Sequence, residues 1–161
     1  MPDKILIVYY SLTGNTKMIA EAIKEAINAD ILALKPVKEL NPKKASRFVW
    51  GGMQSTMKKK PELEPIDIDP LEYDLIFLGT PTWAWNFSPP IRSFINLYDL
   101  HSKKLAVWSC AGGKTEKPII NLKSIFGDNI IGELSLIEPK SKDTEKQTAK
   151  AVEWAKKIAQ S

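Results

Sequence analysis

Residues 7–23 read IVYYSLTGNTKMIAEAI, and this stretch holds the fold in outline. The apolar run from Ile5 to Tyr10 is continuous rather than alternating, as a strand covered on both faces requires. It stops at Ser11-Leu12-Thr13-Gly14-Asn15-Thr16. Ile19, Ala20, Ile23, Ala26 and Ile27 then recur at helical spacing. A strand therefore turns directly into a helix. The turn carries four hydroxyl or amide side chains and no charge.

Further out, Leu75 to Leu78, Leu105 to Trp108 and Ile130 to Ile137 read as strands, and Ile31 to Leu34 as a shorter, weaker one. Helical patterns lie between them. One covers Pro42 to Trp50 and breaks or bends at Gly51-Gly52. Another starts at Pro89-Pro90 and carries Ile91, Phe94, Ile95 and Tyr98. A third runs from Pro118 to Phe126 with Gly127 as its C-cap, and a fourth from Lys142 to Gln160 with Ala149, Val152, Ala155 and Ala159 inward. Lys58 to Asp74 reads as an extended surface connection. Strands alternating with helices imply a parallel sheet with right-handed crossovers. Five strands suit a doubly wound α/β sheet in the order 2-1-3-4-5, and residues 1–161 read as a single domain.

Composition narrows the function. Apolar residues make up 43% and charged residues 26%, ordinary for a globular protein. No apolar stretch reaches the roughly 20 residues that cross a bilayer, and no signal-peptide layout is present, so a cytoplasmic protein without membrane attachment is expected. A single cysteine, Cys110, excludes an internal disulfide and a cysteine-rich metal site, and a single histidine, His101, argues against zinc or Ser-His chemistry. The net charge of +4 is uneven: Lys43, Lys44, Arg47, Lys58, Lys59 and Lys60 fall together, followed by an acidic run from Glu62 to Asp74. Two solvated faces account for this simply. A patch for an acidic partner is the functional alternative, and no nucleic-acid motif accompanies it.

Ligands of such sheets bind beyond the carboxyl ends of the strands, where strand order reverses. The relevant loops follow Tyr10, Leu78 and Trp108. In the first, the unpaired N–H groups and dipole of the helix start join Ser11, Thr13, Asn15 and Thr16, while Gly14 allows close backbone approach; together these form an anion site of neutral groups. In the second, Pro81, Thr82, Trp83, Ala84 and Trp85 offer aromatic faces to a planar ring, with Phe87 packing onto the next helix instead. In the third, Cys110, Ala111, Gly112 and Gly113 leave room for a ring, with Cys110 itself a small buried hydrophobe. His101 falls at the opposite end of the sheet. Other phosphate motifs fail: there is no Gly-x-Gly-x-x-Gly, a Walker loop ending at Gly113-Lys114-Thr115 would need glycine where Trp108 stands, and a Cys-x5-Arg loop from Cys110 meets Glu116. An anion, a stacking surface and a small-residue cradle describe a phosphorylated flat heteroaromatic ligand, and flavin mononucleotide (FMN) fits all three.

Over nearly its whole length the chain resembles the flavodoxin family. Ser11-Leu12-Thr13-Gly14-Asn15-Thr16 is similar to the family's (Ser/Thr)-x-Thr-Gly-x-Thr phosphate loop. Gly79-Thr80-Pro81-Thr82-Trp83 with Pro89-Pro90-Ile91-Arg92-Ser93-Phe94 resembles its first flavin loop and following helix, and Ser109 to Gly113 its second flavin loop. The resemblance implies a short-chain flavodoxin-like fold, one non-covalent FMN on residues 11–16, 80–86 and 109–113, and electron transfer between redox partner proteins; a monomer or homodimer is expected, without the sequence deciding between them. The alternative it leaves open is an FMN-dependent NAD(P)H reductase of quinones or nitro compounds. Two departures stand out. Electron-carrying members often place glycine beside the flavin N5, whereas Trp83-Ala84-Trp85-Asn86 has none, which predicts a weaker one-electron semiquinone. Such carriers also tend to be acidic, whereas this chain has a sequence pI near 9.0; Lys17, Lys43, Lys44, Arg47, Lys114 and Lys117 are expected near the ligand end, to steer acidic partners.

Overall fold

The structure, a computed structural model, describes residues 4–38 and 60–161. The helix expected from Pro42 and most of the basic run, including Lys43, Lys44 and Arg47, lie outside those residues. Strand β1 (Ile5–Tyr9) leads through the polar turn into helix α1 (Asn15–Ile27), and β2 (Asp30–Ala33) follows. Then come β3 (Leu75–Trp83), a two-residue β4 (Asn86–Phe87), α2 (Pro89–Leu97), β5 (Lys104–Ala111), α3 (Lys117–Phe126), β6 (Ile130–Ile137) and α4 (Thr144–Ala159). The parallel sheet has the order β2-β1-β3-β5-β6, with β4 folded antiparallel onto β3. Leaving that short hairpin aside, the order is the expected 2-1-3-4-5.

Each face of the sheet has its own core. On one side Leu6, Val8, Ile76, Leu78, Leu105 and Val107 meet α2 and α3 through Ile91, Phe94, Ile119, Leu122 and Phe126. On the other, Ile7, Phe77, Ala106 and Trp108 meet α1 and α4 through Ile19, Ala20, Ile23, Ala151 and Ala155. Successive residues of one strand thus feed opposite cores, which is why the strands read as unbroken apolar runs. Gly79 belongs to this packing: a Cβ there would stand 2.1 Å from Trp108 Cζ2, so the indole occupies the space a side chain would need.

Several boundaries differ from the sequence expectation. β3 and β5 run past their apolar stretches, to Trp83 and Ala111, pairing as far as Pro81 with Cys110. Pro81 is tolerated because of strand phase. Gly79 O accepts from Tyr10 N–H on the β1 side, so the missing N–H of Pro81 faces that same side, where β1 has already ended. The inward face of α4 is also shifted. Ala149 is exposed, and the buried stripe is Ala151 and Ala155 flanked by Trp154 and Ile158. The large residues set the phase, Trp154 meeting Phe77 edge to face at 5.5 Å. The connection before β3 lies against the chain after β2 rather than running free. Val37 N–H donates to Glu62 O, Glu64 N–H donates to Lys35 O, and Ile66 and Ile68 pack onto the core.

Candidate functional site

Where β1 stops short and β3 and β5 run on, a cleft of about 370 Å³ opens at the carboxyl end of the sheet. One wall is the β1–α1 turn. Gly14 caps α1 at φ 102, a conformation that glycine adopts without a steric penalty. Its N–H donates to Ser11 Oγ at 3.1 Å, which folds the turn back on itself. The first intrahelical bond runs from Met18 N–H to Gly14 O, so the amides of Asn15, Thr16 and Lys17 have no partner within the helix. Thr16 is 1% exposed, and its Oγ1 makes no hydrogen bond among the described residues. The Cys110 thiol lies beside it, a weak partner whose own ionisation burial pushes up to about 12, the Thr16 hydroxyl drawing it partway back. Cys110 is therefore a buried hydrophobe and not a nucleophile.

A second wall is the end of β3 and its hairpin. Trp83 pairs with Asn86 across a two-residue turn in which Ala84 (φ 49) and Trp85 (φ 65) are both left-handed, the geometry that matches strand twist in a tight hairpin. The base of the hairpin is pinned by buried Thr80, whose Oγ1 accepts from Ser88 N–H at 2.9 Å, and its far side by Asn121 of α3, which donates to Asn86 Oδ1 at 2.9 Å. Tyr10 stands edge-on to Trp83 at 5.7 Å and fixes the plane of that indole. Trp85 is 69% exposed at the tip. Phe87 is buried beneath the hairpin under the Arg92 guanidinium, 4.3 Å away, as expected of a residue packing on α2. Thr82 Oγ1, in the cleft wall, is a second buried hydroxyl without a hydrogen-bond partner among the described residues.

Of the residues singled out in the sequence, the structure brings Ser11, Leu12, Thr13, Asn15, Thr16, Pro81, Thr82, Trp83, Ala84, Cys110, Ala111 and Gly112 to one cleft. Trp85 and Gly113 line an adjoining depression of about 360 Å³ with Lys114 and Thr115, and Gly14 forms the helix cap behind the cleft. Ser109 sits one residue deeper in β5 and is buried. His101 is at the far end of β5, exposed and bonded to Asp99, as expected.

Sequence reasoning missed the turn between β6 and α4. Glu138 lines the cleft, and its N–H donates to Ala111 O at 3.0 Å. Lys140 reaches the first wall: its N–H donates to Asn15 Oδ1 at 2.9 Å and its Nζ to Thr13 O at 3.5 Å. Gln147 of α4 clamps this turn, its amide bonding both to the Ile137 backbone and to Lys142 O. Nothing in the local sequence Glu138-Pro139-Lys140 points to residues 11–16, because the contact spans 125 positions. A larger groove of about 620 Å³ runs along edge strand β6 between α3 and α4. Acidic and basic side chains are mixed on its walls, and neither Thr16 nor Thr82 faces it, so the chemistry concentrates in the smaller cleft.

Comparison with known proteins shows the family and the fold. A family model described as flavodoxin matches residues 4–157. A curated relative, the flavodoxin-like domain-containing protein BilS of Clostridioides difficile (strain CD3), is 29% identical over 140 residues, covering 87% of this chain. This chain spans only 61% of that relative's length. Two solved structures share the fold. One is a flavoprotein of Lactobacillus acidophilus NCFM in complex with FMN, at 22% identity and a TM-score of 0.69, covering 94% of this chain and 98% of that one. The other is a flavodoxin from the domain Archaea, at 21% identity and a TM-score of 0.58, covering 96% and 98%. With β1, the Ser11–Thr16 turn and the cleft all inside the matched span, this chain belongs to the flavodoxin family.

Proposed function

We propose that this chain binds one FMN in the cleft and works as an electron carrier between protein partners. The observation that carries the reading is the pair of buried hydroxyls that line the cleft, Thr82 with no hydrogen-bond partner among the described residues and Thr16 with only the weak Cys110 thiol beside it. Burying such groups unpaired costs about 1–3 kcal/mol each, and a polar ligand in the cleft removes that cost. Thr16 stands at the positive end of α1 beside free backbone amides, which suits a phosphate. Thr82 stands beside Trp83, which suits the polar edge of a flat ring. The FMN held by the similar L. acidophilus flavoprotein supports the same ligand.

In this reading the amides of Asn15 and Thr16, with the hydroxyls of Thr13 and Thr16, hold the phosphate. The backbone from Pro81 to Ala84 and from Cys110 to Gly112 takes the ring, Trp83 covers it and excludes water, and Trp85 screens it from the adjoining side. When bound, FMN supplies one- and two-electron chemistry at the ring. The chain supplies binding, orientation and access. Exposed Lys17, Lys114 and Lys117 at this end favour acidic partners.

A second reading, an FMN-dependent reductase using NAD(P)H, draws on the depression beside Trp85, where a second flat molecule has room. Three measurements test these ideas. The purified protein is expected to be yellow with flavin absorbance, and Thr16→Ala to weaken FMN by about 10–100-fold; a colourless protein indifferent to added FMN defeats both readings. Anaerobic NADH or NADPH is expected to leave the bound flavin oxidised unless a partner reductase is added, whereas rapid bleaching by nicotinamide alone favours the reductase.

A further inference from the structure

We infer that Lys140, on the turn between β6 and α4, is the cationic member of the phosphate site and makes the cleft select a phosphorylated flavin over its unphosphorylated form. The inference rests on the flavin reading above and adds a charge to a site whose local sequence has none.

The turn is built to place this residue. Its first residue, Glu138 (φ 40), is tied to β5 through Ala111 O, and its last, Asp143 (φ 44), caps α4. Gln147 holds it from behind. Between these anchors the Lys140 backbone bonds Asn15, which orients that amide side chain. The Lys140 side chain then crosses directly over Gly14: a Cβ added there would stand 3.0 Å from Nζ and 3.4 Å from Cδ. Glycine at position 14 thus serves twice, for its positive φ and for the room it gives this lysine.

The ammonium is poorly used by the protein itself. It has three donors, and its one hydrogen bond among the described residues is the long one to Thr13 O. Among those residues no carboxylate lies within ion-pair distance of it. Glu138, the acidic neighbour, is committed to Lys142 at 2.8 Å. A cation without a counter-charge among the described residues, held over the start of α1 where the first amides lack helical partners, is matched by a doubly charged phosphate. Its exposure makes the attraction sensitive to salt.

The test compares apoprotein affinities for FMN and for riboflavin, which lacks the phosphate, in the full chain. Lys140→Met is expected to weaken FMN by about tenfold and to leave riboflavin within about twofold, with Lys140→Arg restoring most of the FMN affinity. The wild-type preference for FMN is expected to shrink as salt rises, and that slope to flatten in K140M. Unchanged FMN binding in K140M, or equal weakening of FMN and riboflavin, overturns the assignment while leaving the flavin reading intact. A wild-type apoprotein that binds neither flavin overturns the flavin reading and the assignment with it.

Discussion

Gly79 shows how one missing side chain organises this protein. The residue lies mid-sheet, pairs with Tyr9 and Trp108, and leaves the Trp108 indole the space where a Cβ would sit. Gly79→Ala forces either the ring or the strand to move, and overpacking of this kind costs about 1–3 kcal/mol, here expected near the top of that range. A urea unfolding midpoint, at unchanged m-value, measures it. The hydroxyls of the Ser11–Thr16 turn were readable because four polar side chains at a strand-to-helix junction have few structural uses. Lys140 and Glu138 were not readable, since they become neighbours of residues 11–16 and 109–113 only when β6 completes the sheet edge. Cys110 was legible as a buried hydrophobe from the absence of any base near it in sequence, and burial does hold its thiol up to about 12.

At the scale of elements, strand lengths decide where the cleft opens. The apolar runs marked the strand cores correctly, but β3 and β5 continue through small and polar residues with no apolar pattern, paired with each other as far as Pro81 and Cys110. That continuation is invisible to hydrophobic periodicity, so the sequence shows a loop where the structure has a hairpin. The sequence marks positive φ as costly in the glycine-free stretch Trp83-Ala84-Trp85-Asn86, and Ala84 and Trp85 both adopt it in the two-residue turn. A left-handed alanine costs about 1 kcal/mol, partly offset by the extra freedom glycine has when unfolded. Ala84→Gly is therefore expected to stabilise the apoprotein by about 0.5 kcal/mol and raise Tm by about 1–2 °C in a thermal scan. A fall in Tm would mean that the turn is not strained.

The whole molecule has two chemically distinct ends. The cleft occupies the carboxyl end of the sheet. At the other end His101 Nδ1 contacts Asp99 at 2.7 Å and its Nε2 the Ile125 carbonyl. The hydrogen bond with Asp99, then that with Ile125, hold the imidazole above its usual 6.5, while bonds from His101 hold the Asp99 carboxyl below 3.8. The histidine contribution to stability is complete below pH 6.5 and fades as pH rises through the raised value. The aspartate contribution is complete above pH 3.8 and fades as pH falls through the lowered one. His101→Ala is expected to remove the first dependence from a stability-against-pH curve while leaving flavin affinity unchanged, because neither His101 nor Asp99 lines the cleft or its adjoining depression. The order of the sheet was legible from alternating elements alone; the closing of one end by a turn 125 residues from its target was not. That closure has a consequence for the newly made protein. During synthesis the Ser11–Thr16 segment emerges before the Glu138–Asp143 segment that docks on it, so under the flavin reading coenzyme loading is expected to be a late step of maturation, and a nascent chain halted after Ala111 is expected not to take it up.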